Sequence, residues 1–147
     1  MRIIPATAAE CAAMAAVHAE AFAHKAWRDD EFEDLLEGEG IYGFLAQGDA
    51  PLGLILCRVA AGEMEVLTVG VAHAARRQGV AKALMFAALP AARDRAATEC
   101  FLEVAVDNDG AIALYEGLGF RKTGLRKSYY DRGPQGFTDA AVMRLDL

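Results

Sequence analysis

Three strand-like runs follow one another with only tight turns between them: Ile41–Gln47, Leu52–Val59 and Met64–Val71. Gly48-Asp49 and Ala61-Gly62 supply the turns. Connections this short leave no room for a crossover helix, so the runs must pair as an antiparallel meander. What flanks the meander then decides the fold. Before it, Arg2 to Pro5 reads as a short strand and Thr7-Ala8-Ala9-Glu10 as a capping box, a hydroxyl at the N-cap with a carboxylate three residues on. The helix that follows carries Cys11, Met14, His18 and Phe22 on one face. A shorter helix from Asp29 to Glu37 turns Phe32, Leu35 and Leu36 inward and stops at Gly38 and Gly40.

After the meander comes a helix with Val80, Ala83, Leu84, Ala87 and Ala88 on one face, which Pro90 should end or kink. Cys100 to Val106 is a strong strand, and Asn108-Asp109-Gly110 is a turn and cap. A short helix presents Ala111, Leu114, Tyr115 and Leu118 and closes at Gly119. Arg121–Tyr129 and Ala140–Leu145 read as two closing strands. The order β-α-α-β-β-β-α-β-α-β-β predicts a mixed α/β domain around one central sheet.

Residues 1–147 fit one domain by size. Hydrophobic residues make up 54% and charged residues 24%, a balance that supports a packed core and excludes disorder. No uncharged run approaches the ~20 residues of a membrane span. The start, Met1-Arg2-Ile3-Ile4-Pro5, lacks an apolar stretch of signal-peptide length. Three scattered cysteines (Cys11, Cys57, Cys100) make no disulfide framework, and a reducing cytoplasm is the expected compartment. The net charge of −6 argues against nucleic-acid binding. It is unevenly spread: residues 1–50 hold ten acids against three bases, and the remainder eleven against twelve. The acidic part, with Asp29, Asp30, Glu31, Glu33 and Asp34, is expected to surround a cleft for a positively charged substrate. A plain solvated helix face is the alternative.

Arg76-Arg77-Gln78-Gly79-Val80-Ala81 lies between a strand and a helix. Free N–H groups at a helix start bind anions, and Gly79 and Ala81 leave room for a phosphate. Arg76, Arg77 and Lys82 add positive charge. The loop is neither a Walker loop nor a dinucleotide fingerprint, and a basic helix cap is its bland reading. Glu103 interrupts the apolar run Phe101-Leu102-Glu103-Val104-Ala105-Val106. It is either a general base in a cleft or a side chain alternating into solvent. Tyr115, at helical spacing with Ala111 and Leu118, reads by itself as core, and Asn108 as a turn residue or N-cap. His18, His24 and His73 make neither a metal spacing nor a triad, so no metal is expected.

Together these residues resemble the GNAT superfamily of acetyl-CoA-dependent N-acetyltransferases. The R-x-x-G-x-A pattern falls on Arg76, Gly79 and Ala81. Leu102-Glu103-Val104, Asn108, Ala111 to Glu116, Leu118-Gly119-Phe120 and Arg126 to Tyr130 are similar to the bacterial branch that acetylates the N-terminal alanine of a ribosomal protein. So is the closing Asp139 to Met143. The resemblance implies a GNAT-like fold, a mixed and mostly antiparallel twisted sheet of about seven strands with about four helices. It implies acetyl-CoA as co-substrate and the N-terminus of a ribosomal or other basic protein as partner. It casts Glu103 as general base, directly or through water, and Tyr115 as general acid. Val69, Gly70 and Val71 would pair with the pantetheine amides and supply an oxyanion N–H. Asn108 would bond the same arm, and Arg76, Arg77, Gln78, Gly79, Val80, Ala81 and Lys82 would hold the pyrophosphate. Trp27 and Tyr130 would shape the acceptor cleft. Two other readings stay open: an acetyltransferase for a lysine, polyamine or antibiotic, and a non-catalytic CoA-binding module.

Overall fold

The computed structural model describes residues 1–147. Its strands are β1 (Arg2–Pro5), β2 (Ile41–Gln47), β3 (Pro51–Ala60), β4 (Glu63–Val71), β5 (Glu99–Ala105), β6 (Arg121–Asp131) and β7 (Phe137–Asp146). Its helices are α1 (Cys11–Ala21), α2 (Asp29–Leu36), α3 (Val80–Asp94) and α4 (Asp109–Gly117). Seven strands form one sheet in the order β1-β2-β3-β4-β5-β7-β6. Every neighbouring pair is antiparallel except β4 and β5. The architecture is the mixed α/β sheet predicted from the pattern of elements.

The capping box forms: the Thr7 N–H donates to Glu10 Oε1 at 2.7 Å, and the Ala9 N–H donates to Thr7 Oγ1. It starts a 3₁₀ turn that leads into α1. Helix α3 runs through Pro90 to Asp94, so the proline does not end it. The ring removes one donor, which leaves the Phe86 carbonyl without its helical partner. Phe86 and Pro90 both lie on the exposed side, where water can serve that carbonyl.

Alternation sorts the core onto two faces. On one face Val80, Leu84, Met85 and Ala88 of α3 pack on Ile55, Cys57, Met64, Cys100, Leu102 and Val104, with Tyr115 of α4 beside them. The Tyr42 hydroxyl crosses this layer to donate to the Ala88 carbonyl at 2.8 Å. On the other face Cys11, Met14 and Val17 of α1 and Phe32 of α2 cover Leu45, Leu54 and Leu56. That second layer reaches only β2 and β3 and their neighbour β4. Beyond it the face of β5, β7 and β6 has no helix, so Phe101, Glu103 and Val142 line an open cleft there.

Two irregularities in the sheet set the site. β4 and β5 pair only over Glu63–Glu65 and Glu99–Phe101, and then diverge. From Val66 to Val71 the β5-side edge of β4 carries no ladder partner. The β3–β4 register shifts so that Leu56 opposes Thr68 and Cys57 opposes Val66, which leaves Leu67 as a bulge at the start of the split.

Candidate active site

Helix α3 begins where the chain needs a left-handed residue. Gly79 is its N-cap at φ +77, and a side chain there would meet open space rather than protein. The first helical bond is Ala83 N–H to the Gly79 carbonyl at 3.0 Å, so the N–H groups of Val80, Ala81 and Lys82 have no intrahelical acceptor. Gly79 offers no side chain to cap them. Arg76, Arg77, Gln78 and Lys82 are exposed around this end. Free donors, a helix dipole, positive side chains and an open approach suit a pyrophosphate. The unpaired edge of β4, with Val69, Gly70 and Val71, runs from this loop into the split and suits an extended arm bearing amides. Gly70 is buried beneath Ala21 at the end of α1 and Phe22 just after it. The residues fit a CoA-like ligand. Asn108 sits past the end of β5, but its Oδ1 accepts the Ala111 N–H at 3.2 Å and caps α4. Only its amide NH₂ is left for a ligand.

The cleft has a volume of about 400 Å³ and is lined by Glu103, Leu67, Phe101, Arg126, Tyr129 and Tyr130, with Arg58, Glu63 and Glu65 at one side. The Glu103 side chain is 21% exposed, and its Oε1 lies 3.1 Å from Arg126 Nε. The Tyr130 hydroxyl donates to the Glu103 backbone carbonyl at 2.7 Å. Burial and the Glu103 charge push the Tyr130 phenol up to about 12. Hydrogen bonding to Glu103 is the main cause that raises the Tyr129 phenol above its ordinary value. Thus the Glu103 carboxylate is met by the Arg126 guanidinium and the Tyr129 phenol, and its backbone carbonyl by the Tyr130 phenol. Arg126 and the two tyrosines are the lining residues whose contacts with Glu103 the sequence did not reveal.

Tyr115 is 5% exposed and stands on the α3 side of the sheet, with its ring 5.7 Å from Phe120. It does not line the Glu103 cleft. Its hydroxyl has no protein partner and is not sealed from solvent. Burial, with the nearby Tyr130 phenol adding to it, raises its pKa far above the tyrosine range. Trp27 is elsewhere again. It stacks on His18 with centroids 4.8 Å apart and meets Phe32 edge-on, and it is absent from the lining of the cleft. None of Asp29, Asp30, Glu31, Glu33 and Asp34 lines the cleft. Instead, its acids come from the charge-balanced part of the chain, as Glu63, Glu65 and Glu103. No group of three or more His, Cys, Asp or Glu is placed to hold a metal ion.

The model of the acetyltransferase (GNAT) family matches residues 10–120. The chain belongs to the GNAT family. Among its relatives is the ribosomal protein bS18-alanine N-acetyltransferase of Escherichia coli K12, 32% identical over 135 residues that cover 90% of each chain. The crystal structure of the ribosomal-protein-S18-alanine N-acetyltransferase from Escherichia coli superposes with a TM-score of 0.87 at 27% identity, covering 99% of this chain and 92% of that one. The GNAT fold is shared at 20% identity and a TM-score of 0.84 by yncA from Salmonella typhimurium, solved with its cofactor acetyl-CoA, with 99% of this chain and 93% of that one covered. This GNAT protein is therefore an acyltransferase that uses acetyl-CoA and acetylates an amine. That removes the non-catalytic module from contention. No helix is long and apolar enough to cross a membrane.

Proposed function

We propose that this GNAT enzyme acetylates the N-terminal α-amine of a ribosomal protein with alanine first, in the cytoplasm, and that residues 1–147 work as one acetyltransferase domain. The observation that carries the reading is the Glu103 carboxylate at the mouth of the β4–β5 split, beside an unpaired strand edge that leads to the Gly79 helix start. The relatives named for alanine acetylation support the acceptor.

Acetyl-CoA supplies an activated acyl group and a thiol as leaving group. Arg76, Arg77, Gln78, Gly79, Val80, Ala81 and Lys82 hold its pyrophosphate, and Val69, Gly70, Val71 and Asn108 hold the pantetheine arm. An α-ammonium has a pKa near ~8, so an ionised carboxylate suffices to take its proton. Glu103 takes it directly or through water. A backbone N–H on the unpaired edge of β4, from Val69 to Val71, stabilises the oxyanion. Tyr115 stays protonated at any working pH. As general acid it gives its phenolic proton to the departing thiolate, and the second proton that the amine nitrogen sheds on acylation, carried through solvent, restores the phenol. Tyr130 and Trp27 border the acceptor, Tyr130 at the cleft wall and Trp27 through the α1–α2 loop.

The test uses a basic peptide with a free N-terminal alanine and a blocked copy with an internal lysine. The free peptide should react and the blocked one should react poorly. Glu103→Gln should lower kcat roughly 10²-fold with acetyl-CoA affinity kept, and the loss should shrink as pH rises and the amine loses its proton unaided. Equal rates on both peptides would move the acceptor to a lysine or small amine. A small, pH-independent loss in Glu103→Gln would remove Glu103 from the chemistry.

A further inference from the structure

Consecutive residues of a regular strand point to opposite faces of the sheet. Tyr129 and Tyr130 are consecutive, and both line the Glu103 cleft, their rings edge-on at 5.4 Å. The β6–β7 register explains how. Arg126 opposes Ala140 and Tyr130 opposes Thr138, so Lys127, Ser128 and Tyr129 together face the single residue Asp139. The middle residue of this wide bulge, Ser128, is left-handed at φ +51 without being glycine. Such a conformation is strained for a residue with a side chain and persists only where its surroundings impose it. The imposing contact is visible: the Ser128 N–H donates to Asp139 Oδ1 at 2.8 Å. The Asp139 carbonyl meanwhile accepts the Val106 N–H at 3.0 Å, just past the end of β5. Asp139 therefore ties the bulge to the strand that carries Glu103.

We propose that Asp139 is a positioning residue for the reaction: its carboxylate holds the Lys127–Tyr129 bulge so that Tyr129 and Tyr130 both reach Glu103. The proposal rests on the reading of Glu103 as the base. Its geometric content stands apart from that reading. Without the strap, Ser128 relaxes to an ordinary backbone, the bulge narrows or slips, and one phenol turns off the cleft. Tyr130 then loses the Glu103 carbonyl, or Tyr129 loses the carboxylate. Displacements of about 1 Å at such a site cost up to about 10²-fold in rate. An amide oxygen accepts the same N–H, so the function needs an acceptor at that distance and not a charge.

The experiment compares Asp139→Ala, Asp139→Thr and Asp139→Asn. Thr suits a strand but its hydroxyl is too short to reach Ser128, which guards against a misfolded Ala variant. Two readouts are taken: steady-state kinetics with the free N-terminal peptide, and ¹³C NMR titration of labelled tyrosine, whose four resonances are assigned with Tyr129→Phe and Tyr130→Phe. Ala and Thr should lower kcat/KM at least 10-fold with acetyl-CoA Kd unchanged, and Asn should stay within about 3-fold of wild type. In Ala and Thr the Tyr129 or Tyr130 titration should move back toward the ordinary midpoint near ~10, and in Asn it should not. Wild-type kinetics and titration in both Ala and Thr would overturn the proposal. So would a loss of activity with unmoved tyrosines, or an Asn variant as impaired as Ala. If Glu103→Gln proves fully active, the base reading falls, while the tyrosine titrations still decide whether Asp139 sets their positions.

Discussion

His18 is a buried histidine with a defined cost of protonation. It is 2% exposed, and its Nδ1 accepts the Trp27 N–H at 3.0 Å, so the proton of the neutral ring is on Nε2. Phe22, Trp27 and Phe32 surround the ring. Burial lowers its pKa from 6.5 to about 4, with Glu31 opposing the shift. Because the folded pKa is depressed, the unfolded chain takes up the proton first. The stabilisation is therefore whole above pH 6.5 and is lost as pH falls through 6.5 toward 4. With those two values, acidifying from about pH 7 to about pH 4.5 removes about 2 kcal/mol, a large share of the 5–15 kcal/mol typical of a domain. Urea unfolding of wild type and His18→Gln across this range isolates the effect. Glutamine can still accept the Trp27 N–H but does not titrate, and every carboxylate is common to both chains. His18→Gln should be less stable at neutral pH for lack of the stacked ring, and the gap should close by about 2 kcal/mol toward pH 4.5. Parallel stability curves would refute the argument. The same ring anchors the loop that carries Trp27, so acid should loosen that loop before it unfolds the chain.

Gly79→Glu should abolish acetyl-CoA binding in calorimetry, because it sets a charged side chain in the anion approach and a non-glycine residue at φ +77. Normal binding would move the phosphate site away from the α3 start. Tyr115→Phe should lower kcat with the fold intact by circular dichroism. Phe fills nearly the same volume, so wild-type turnover would assign Tyr115 to packing. kcat/KM for a basic peptide should fall with ionic strength, since fields are screened over ~8–10 Å. Neutralising Asp29, Asp30 and Glu31 together should leave most of that dependence, because none of them lines the cleft.

The element order was legible because each element carries a local signal. Period-2 and period-3.6 patterns, the Thr7 capping box and the glycines at Gly38, Gly62 and Gly119 all act within a few residues. The Arg76–Ala81 loop was legible for the same reason, as a helix start with basic neighbours. The split between β4 and β5 was not. It depends on where two strands far apart in sequence cease to pair, and nothing in Val66–Val71 marks the change. The Lys127–Tyr129 bulge has no glycine to announce its left-handed residue, because Asp139 from the neighbouring strand supplies the compensation. Trp27 could not be placed either. Its partner His18 lies nine residues back on α1, and nothing local marks that its ring stacks on the indole.

The Arg126–Glu103 pair bears on how Glu103, in its proposed role as base, can work while already engaged. Arg126 Nε occupies Oε1 of the carboxylate that the proposed mechanism asks to take a proton. A tight, enclosed pair would block the site. This one is loose on the arginine side, whose side chain is 57% exposed. Exposed ion pairs contribute about 0–1 kcal/mol, so an arriving α-ammonium can replace the guanidinium at little cost. Tyr129 gives the displaced cation somewhere to go, since the Arg126 Cζ already lies 5.1 Å from its ring centroid. Once the amine has given up its proton and been acylated, it carries no charge to compete, and the guanidinium favours the carboxylate again as the proton leaves. The ion pair thus disfavours neutral occupants of the Glu103 carboxylate while admitting a cation. That selection fits a substrate whose reacting group enters as an ammonium.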